Sequence, residues 1–420
     1  MGKNKHIVVK DNTKLSLYKV ENFLSITDNI LQHRTELLLS KNDWIDELIV
    51  WLENNNLLEY EYPRNKKELI SLEKLELYGL DLTSIPDVIG NLSNLVSLKV
   101  AISGITRIPA SIGNLNHLET LCLDGNKLTE LPKSISGLSN LKTLILEGNE
   151  FIELPDFIFD LTNLIELDVG SNKLTNISDS ISKLTNLEKL SIGSNQLASI
   201  PEAIGNLNKL RDLRFGGNQL TSVPRFIEKL SHLRSLFIND SGLKTIPDFL
   251  STLNKLEKLE LSSNQLVEFP DFLGDFSNLK TLRLGGKKIT SIPESICRLT
   301  RLDHLAILDT ELTVAPAFIG NFSELTALIL CHNQLTEIPE FIGDLSKLER
   351  LILNDNQLTE IPDFIGNCKN LKVLVLAGNN ITKLPLSLRN LTSLKRINLR
   401  DNPIKKLPPE LIHLQDIITF

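Results

Sequence analysis

Few side chains in this 420-residue sequence have the types and spacing that chemistry requires. His304, Cys331 and His332 offer zinc ligands, but zinc needs three or four converging groups, and adjacent strand residues such as Cys331 and His332 point apart. Gly285-Gly286-Lys287-Lys288 has the composition of a phosphate-binding loop but lacks its upstream glycine. No nucleophile elbow, HExxH or dinucleotide fingerprint occurs. The sequence therefore predicts a protein that is not an enzyme, with no catalytic residue, no metal and no cofactor.

Composition excludes several other classes of protein. The net charge of −7 argues against a nucleic-acid binder that neutralises phosphates, and 41% hydrophobic residues argue against a disordered chain. No run of 18 apolar residues could span a membrane, and the first 25 residues lack the apolar core of a secretory signal. The four scattered cysteines are expected to be reduced thiols. We therefore expect a cytoplasmic protein without membrane partners.

A repeat of 23 residues dominates the sequence. It begins at Leu72 and runs without insertion or deletion through fifteen units to Asp416. The pattern is LxxLxLxxNxLTxIPxxIGNLxx, seen most clearly from Leu348 to Asn370. Seven positions in each unit, numbered 1, 4, 6, 11, 14, 18 and 21, are apolar. Because each unit is too short to bury its own apolar face, successive units must stack.

Each unit is predicted to contain one strand and one helical turn. Positions 4 to 8 alternate, so leucines 4 and 6 share the buried face of a short strand, and stacked units form a parallel sheet. Asparagine at position 9 occurs in ten units and suits an inward turn, where its amide bonds unpaired backbone groups. Proline at position 15 occurs in fourteen units, with only Ser178 differing, and favours the first helical position.

These features resemble the leucine-rich repeat family. The 23-residue IPxxIGNL form is similar to the plant Ras-group leucine-rich repeat proteins, to the repeat arrays of erbin and Scribble, and to bacterial cytosolic members. The resemblance covers residues 72–416. It implies an α/β fold: a right-handed solenoid, or horseshoe, with a concave parallel β-sheet, short helical or 3-10 segments on the convex side, and partner binding on the concave side.

The ends depart from the repeat. Residues 1–71 are predicted to form a small, mainly helical capping domain, with Ile7-Val8-Val9 as a short strand, a helix from Val20 to His33, and a second helix from Asn42-Asp43 through Leu52. Such a cap would shield the open end of the first repeat, as solenoids require. Residues 417–420 form a tail. We expect that Ile417, Ile418 and Phe420 fold back over the last strand, or that this edge meets a partner or a second copy.

The concave positions 3, 5, 7 and 8 do not serve the core, so they are the candidates for partner contact. In units eleven to fourteen they become apolar, which favours an interaction surface over ordinary strand propensity. A mixed, charged group in units four to ten is the second candidate. The apolar set is Ala306, Leu308, Ala327, Ile329, Cys331, Ile352, Val373, Val375 and Ala377, and the charged set is Asp168, Arg214, Glu260 and Arg283.

The function predicted from these features is a non-catalytic protein–protein interaction scaffold or adaptor in intracellular signalling. The alternative is the substrate-recognition part of a bacterial effector or ubiquitin-ligase-type protein whose catalytic domain lies elsewhere. The resemblance implies a protein partner, and small GTPases and other signalling proteins are the candidates. We expect a monomer or a weak dimer formed through the C-terminal edge.

Overall fold

The computed structural model describes residues 6–10, 44–55, 66–404 and 406–420. The chain divides into two compact units, residues 1–196 and residues 197–420. The expected helix from Val20 to His33 lies outside the described residues, as do Asn42-Asp43. Within the part of the chain that the structure describes, no helix has the length and apolar character needed to cross a bilayer.

In the first unit, each described strand pairs in parallel with the strand that follows it. The strands are β1 (His6–Lys10), β2 (Lys74–Tyr78), β3 (Ser97–Ala101), β4 (Thr120–Cys122), β5 (Thr143–Ile145), β6 (Glu166–Asp168) and β7 (Lys189–Ser191). The strand expected at Ile7-Val8-Val9 is therefore present as β1. Five-residue 3-10 helices connect the strands from β2 onward: Asp87–Asn91, Ala110–Asn114, Lys133–Gly137, Asp156–Asp160 and Asp179–Lys183.

Among the described residues, two α-helices precede the repeats of the first unit. They are α1 (Trp44–Asn54) and α2 (Lys66–Ile70). Helix α1 packs against the first 3-10 helix, Asp87–Asn91, and buries Ile45, Leu48 and Leu52. The helix expected to end at Leu52 is therefore present, and it continues for two more residues.

The second unit repeats the same arrangement of parallel strands. Its strands are β8 (Asp212–Arg214), β9 (Ser235–Phe237), β10 (Lys258–Asn264), β11 (Thr281–Gly286), β12 (His304–Leu308), β13 (Ala327–Ile329), β14 (Arg350–Ile352), β15 (Val373–Val375), β16 (Arg396–Asn398) and β17 (Ile418–Thr419). Its 3-10 helices are Glu202–Asn206, Arg225–Lys229, Asp248–Thr252, Asp271–Asp275, Glu294–Arg298, Ala317–Asn321, Glu340–Asp344, Asp363–Asn367, Leu386–Asn390 and Pro409–Leu414.

The C-terminal tail forms the last strand of the second unit. Strand β17 pairs in parallel with β16, and the N–H groups of Ile397 and Leu399 donate to the carbonyls of Ile417 and Thr419, each across 2.7 Å. The tail therefore pairs with the last strand of the repeats; Ile417 and Ile418 are half-buried there, whereas Phe420 is 40% exposed.

The expected core follows from the repeat. Position-4 and position-6 side chains such as Leu98 and Val100 are fully buried.

Proline at position 15 precedes the helical turn as its cap rather than as its first residue. Pro86 has φ −73° and ψ 151°, and its carbonyl accepts from Ile89 N across 3.1 Å. The ring fixes φ, and the extended ψ points this carbonyl into the turn, which closes with the three-residue spacing of a 3-10 helix.

Asparagine at position 9 ends most strands. Asn126 donates from Nδ2 to the carbonyls of Val100 and Leu123, at 2.7 and 2.9 Å, and accepts from Ile105 N at 3.2 Å. The inward, backbone-bonding role expected for this residue is confirmed here and at the other nine asparagines, two of which are Asn264 and Asn356. Since the amide occupies carbonyls that strand pairing would otherwise use, the strand stops after three residues in nine of these ten repeats; β10, which ends at Asn264, is longer.

Repeat ten, which begins at Leu279, breaks this rule. Position 9 is Lys287 there and Thr310 in the next repeat, and strands β10 to β12 run for five to seven residues. In fourteen of the fifteen repeats, position 8 has a positive φ; the exception is Gly286, which instead continues β11. The ladder between β10 and β11 shifts register between Leu261 and Asn264. The chain therefore leaves the regular turn at this one repeat.

Candidate protein-binding surface on the exposed face of the sheet

The strands of the second unit separate buried from accessible side chains as the alternation predicts. Leu328, Leu351 and Leu374, at position 4, are fully buried. Ile329 and Ile352, at position 5, are half-buried and lie on the opposite face of the strands. This strand phase places position 5 of each repeat on the solvent side of the sheet.

The nine apolar residues expected on this face differ in how much surface they offer. Ala306, Leu308 and Ala327 are buried, at 2%, 9% and 2% exposed. Ala306 lies in register between Arg283 and Ile329, whose longer side chains rise above its methyl group. The remaining six are half-buried, and they carry the apolar surface: Ile329, Cys331, Ile352, Val373, Val375 and Ala377.

The centre of this apolar surface is a row of three residues. Ile329 pairs with Ile352, and Ile352 pairs with Val375, in the parallel register of β13 to β15. Since neighbouring strands lie about 4.8 Å apart, the row extends for about 10 Å. We refer to Ile329, Ile352 and Val375 as the apolar row. The exposed Arg350 stands beside it at position 3, and Asn398 follows Val375 at its end.

The charged candidates divide between the two units. Asp168 lies in the first unit, where its Oδ1 accepts from Gly170 N across 2.9 Å, so this carboxylate supports the strand end. In the second unit, Arg283 Nε lies 3.4 Å from Glu260 Oε1, as an ion pair without hydrogen-bond geometry. These two side chains partly neutralise each other.

Arg214 belongs to a cluster that includes a residue the sequence reasoning missed. Its Nε lies 3.0 Å from Asp212 Oδ1, and its guanidinium lies over the Phe237 ring, 4.7 Å from the ring centroid. Phe237 occupies position 5 of its repeat, so applying the position-5 rule to every unit would have found it. Stacking of arginine on an aromatic ring holds the side chain in place.

Position 5 therefore forms one continuous row across the second unit, with two halves. The pairing of β8 to β15 places each member beside the next. The first half carries charged and aromatic side chains and the second half is apolar. In order, the members are Arg214, Phe237, Glu260, Arg283, Ala306, Ile329, Ile352 and Val375.

Cys331, beside the apolar surface, and Cys122 in the first unit are neutral thiols at physiological pH. Burial, with the Asp309 carboxylate as the second cause, raises the pKa of Cys331 to about 11. Burial and a hydrogen bond to Asp124 raise the pKa of Cys122 in the first unit to about 12. Because the thiolate is the reactive form of cysteine, Cys331 offers a weakly polar contact here rather than a nucleophile.

No group of three or more metal-ligating side chains occurs among the residues whose placement the structure describes. The two histidines considered above each lie beside a carboxylate instead. His304 Nδ1 lies 2.8 Å from Asp303 Oδ1, and His332 Nδ1 lies 3.5 Å from Asp355 Oδ2.

Family models match three parts of the chain. A leucine-rich repeat region model matches residues 110–216, a leucine-rich repeat model matches residues 346–404, and a model of two leucine-rich repeat copies matches residues 323–366. No curated protein matches the sequence.

Several solved structures are similar to this chain. A leucine-rich repeat protein of Leptospira interrogans is 28% identical with a TM-score of 0.67, and the match covers 85% of this chain and 99% of the other. The ectodomain of the Arabidopsis thaliana receptor kinase GASSHO1/SCHENGEN3 is 30% identical with a TM-score of 0.57; the match covers 80% of this chain but only 46% of the ectodomain. An internalin from Listeria monocytogenes is 26% identical with a TM-score of 0.55, and the match covers 79% of this chain and 88% of the other.

Proposed function

This chain is a leucine-rich repeat protein with the solenoid fold of that family, and from this premise we propose that it is a non-catalytic scaffold or adaptor that binds a partner protein on the exposed face of its sheet. The leucine-rich repeat fold is typical of protein–protein interaction modules. The proposal adds the surface, the chemistry of the contact and the place in the cell.

The observation that carries the proposal is the apolar row. Ile329, Ile352 and Val375 are half-buried, contribute nothing to the leucine core, and lie in register on adjacent strands. Covering an aliphatic side chain at an interface stabilises a complex by up to roughly 1.5–3 kcal/mol. An apolar centre with polar side chains such as Arg350 around it is the usual anatomy of a protein interface.

The charged half of the position-5 row supports the same proposal. Arg214, held over Phe237 and paired with Asp212, is 54% exposed at its side chain, so it presents polar surface at this end of the row. A partner that covers both halves would present apolar side chains over the apolar row and polar side chains over the charged half. Among the similar structures, the Arabidopsis receptor ectodomain was solved in complex with CASPARIAN STRIP INTEGRITY FACTOR 2, which shows that a related repeat array holds a ligand.

We place the protein in the cytoplasm and its partner among signalling proteins, with small GTPases as candidates. Support for the location comes from the thiols: Cys122, Cys297, Cys331 and Cys368 are all unpaired in the structure. Oxidising compartments favour disulfides, whereas the reducing cytosol keeps thiols free. The candidate partner class rests on the resemblance of the 23-residue repeat to intracellular family members.

Site-specific crosslinking tests the proposed surface. A photoreactive benzoylphenylalanine replaces Ile352 in one sample and Ile412, an exposed residue of the last 3-10 helix, in the other. After irradiation in native extract, we expect one discrete crosslinked partner from position 352 that is absent from position 412. Equal crosslinking at both positions, or at neither, would contradict the assignment of the partner site to the sheet face.

A further inference from the structure

A groove with a volume of about 950 Å³ lies in the second unit, where strands β9 to β12 end. Its lining comes from four successive repeats. Position 8 of each repeat forms the lip beside the sheet, including Asp240 and Asp309, and Lys244 and Val267 line it from position 12. The groove is separate from the apolar row, which lies on the face of the sheet.

The groove coincides with the break in the asparagine ladder. In regular repeats the asparagine at position 9 accepts from the N–H of position 11 in the preceding repeat, as Asn356 does from Leu335 across 3.0 Å. Lys287 stands at this place in repeat ten and points to solvent. The N–H of Leu266, which an asparagine there would satisfy, has no hydrogen-bond partner within the described part of the chain, although Leu266 lines the groove. The fold therefore leaves a backbone donor unused at this position.

Three lysines around the groove lack the ion pair that some lysines of this unit make with the acid 23 residues earlier. Lys280 Nζ lies 2.8 Å from Glu257 Oε2, and Lys347 Nζ lies 2.7 Å from Glu324 Oε2, so each lysine pairs with the acid 23 residues earlier. The residues 23 positions before Lys244, Lys287 and Lys288 are Thr221, Asn264 and Gln265. No ion pair links these three lysines to any carboxylate of residues 44–55, 66–404 or 406–420.

The distribution of charge favours discrete acidic groups over a continuous polyanion. Lys244 lies in repeat eight, and Lys287 and Lys288 lie in repeat ten, so the positive charges stand about two strand spacings, or about 10 Å, apart. Asp240 and Asp309 on the lip would repel a highly charged chain of phosphates more strongly than two separate carboxylates. Between the lysines, in repeat nine, Val267 is 54% exposed and offers an apolar contact.

We propose that this groove binds a short acidic peptide segment of a partner protein. A peptide in the polyproline II conformation advances about 3.1 Å per residue and completes a turn every three residues, so carboxylates three residues apart lie on one side, about 9 Å apart, close to the spacing of the two lysine positions. An apolar side chain between the two carboxylates would cover Val267. The peptide backbone would supply a carbonyl to an unused donor such as the Leu266 N–H, because a buried donor without a partner is unfavourable.

Fluorescence anisotropy with defined peptides tests the proposal. The probe is fluorescein-labelled Gly-Asp-Val-Val-Asp-Gly with blocked ends, and its control carries asparagine in place of both aspartates. We expect the full chain to bind the aspartate peptide at least about tenfold more tightly than the asparagine peptide, because each carboxylate meets an unpaired ammonium group. Equal binding of the two peptides would overturn the proposal.

Two matched variants locate the effect. Lys244→Gln with Lys287→Gln and Lys288→Gln should weaken binding of the aspartate peptide at least about tenfold. Lys229→Gln with Lys255→Gln and Lys395→Gln removes the same net charge from exposed lysines outside the groove. This control should change the affinity for the aspartate peptide less than about twofold. Equal losses of affinity in both variants would show a general charge effect and would overturn the proposal. Binding of tripolyphosphate as tight as that of the aspartate peptide would show an unselective anion site and would also overturn it.

Discussion

Asn356 donates from its side-chain amide to the backbone carbonyl of Leu330, 26 residues earlier in the chain, across 2.9 Å. The same amide reaches the carbonyl of Leu353 at 3.0 Å, and its oxygen accepts from Leu335 N at 3.0 Å. One buried side chain thus joins two repeats and ends a strand. The stacking of repeats in each unit depends on such asparagines as well as on the leucine core.

Asn356→Ala should therefore lower the free energy of unfolding by about 3 kcal/mol, since the buried Leu335 N–H and two carbonyls lose their partners. Asn370→Ala is the matched control. Asn370 also donates to a carbonyl one repeat away, that of Ser346 at 2.7 Å, but it is exposed to water, and its loss should cost well under about 1 kcal/mol. Urea unfolding monitored by circular dichroism measures both values. Similar losses in the two variants would contradict a structural role for the buried asparagines.

Lys287→Asn should raise the stability of the second unit by about 1 kcal/mol, because the new amide would accept from the free Leu266 N–H. Gly286 can adopt the positive φ that the other repeats have at position 8, since it lacks a Cβ. The same substitution should also weaken binding of the aspartate peptide in the groove. Lys288→Asn is the control and should leave the unfolding midpoint unchanged. A lower midpoint for Lys287→Asn would mean that the longer β11 is more stable than the asparagine turn.

Leu48→Ala should destabilise the first unit by about 2–5 kcal/mol. Leu48 is 1% exposed on helix α1, which packs against the first 3-10 helix, and the substitution would leave a cavity there. Glu47→Ala changes an exposed residue of the same helix and serves as the control. Thermal melting of the two variants measures the difference. A Leu48→Ala protein with the same melting temperature as the wild type would show that α1 does not cap the repeats.

Three thiols with raised pKa values should make stability fall at alkaline pH. Burial raises the pKa values of Cys122, Cys331 and Cys368 from 9.0 to about 12, about 11 and about 11. The folded state therefore keeps these protons while the unfolded chain loses them, so the thiols add stability below about pH 9 that declines as the pH rises toward 11. The melting temperature of Cys122→Ala with Cys331→Ala and Cys368→Ala should fall less between pH 8.5 and 10.5 than that of the wild type. Parallel curves would show that the folded-state pKa values are not raised.

Much of the fold follows from the sequence because the repeat imposes it. The alternation at positions 4 to 6 predicts which face of each strand is buried, and Leu328 and Ile329 lie as predicted. The role of the asparagines is also predictable, because a buried amide must form hydrogen bonds with the backbone groups that the turn leaves unpaired. The lengthening of β10 to β12 could not be predicted from the sequence, since it depends on pairing between neighbouring repeats around Gly285 and Gly286 rather than on either repeat alone.

The candidate site is less predictable, because exposure on a sheet depends on side chains from adjacent strands. Ala306 is outward by its position, yet Arg283 and Ile329 on either side leave it 2% exposed. The stacking of Arg214 over Phe237 joins residues 23 positions apart and is visible only when position 5 is followed from repeat to repeat. The groove beside Lys287 arises from the absence of one asparagine, and its lysine run was considered only as a phosphate-loop remnant.

The most direct test of the account is the dissociation constant for the partner that crosslinks to position 352. Ile329→Glu with Ile352→Glu should weaken binding by at least about 100-fold, because it removes two apolar contacts of up to roughly 1.5–3 kcal/mol each and leaves two charges without partners. The melting temperature of this variant should stay within a few degrees of the wild-type value. If it falls further, Ile329→Ser with Ile352→Ser repeats the test. Val314→Glu with Ile412→Glu changes two exposed residues away from the sheet face and should bind as the wild type does. A folded sheet-face variant that keeps the wild-type dissociation constant would contradict the assignment of partner binding to the apolar row.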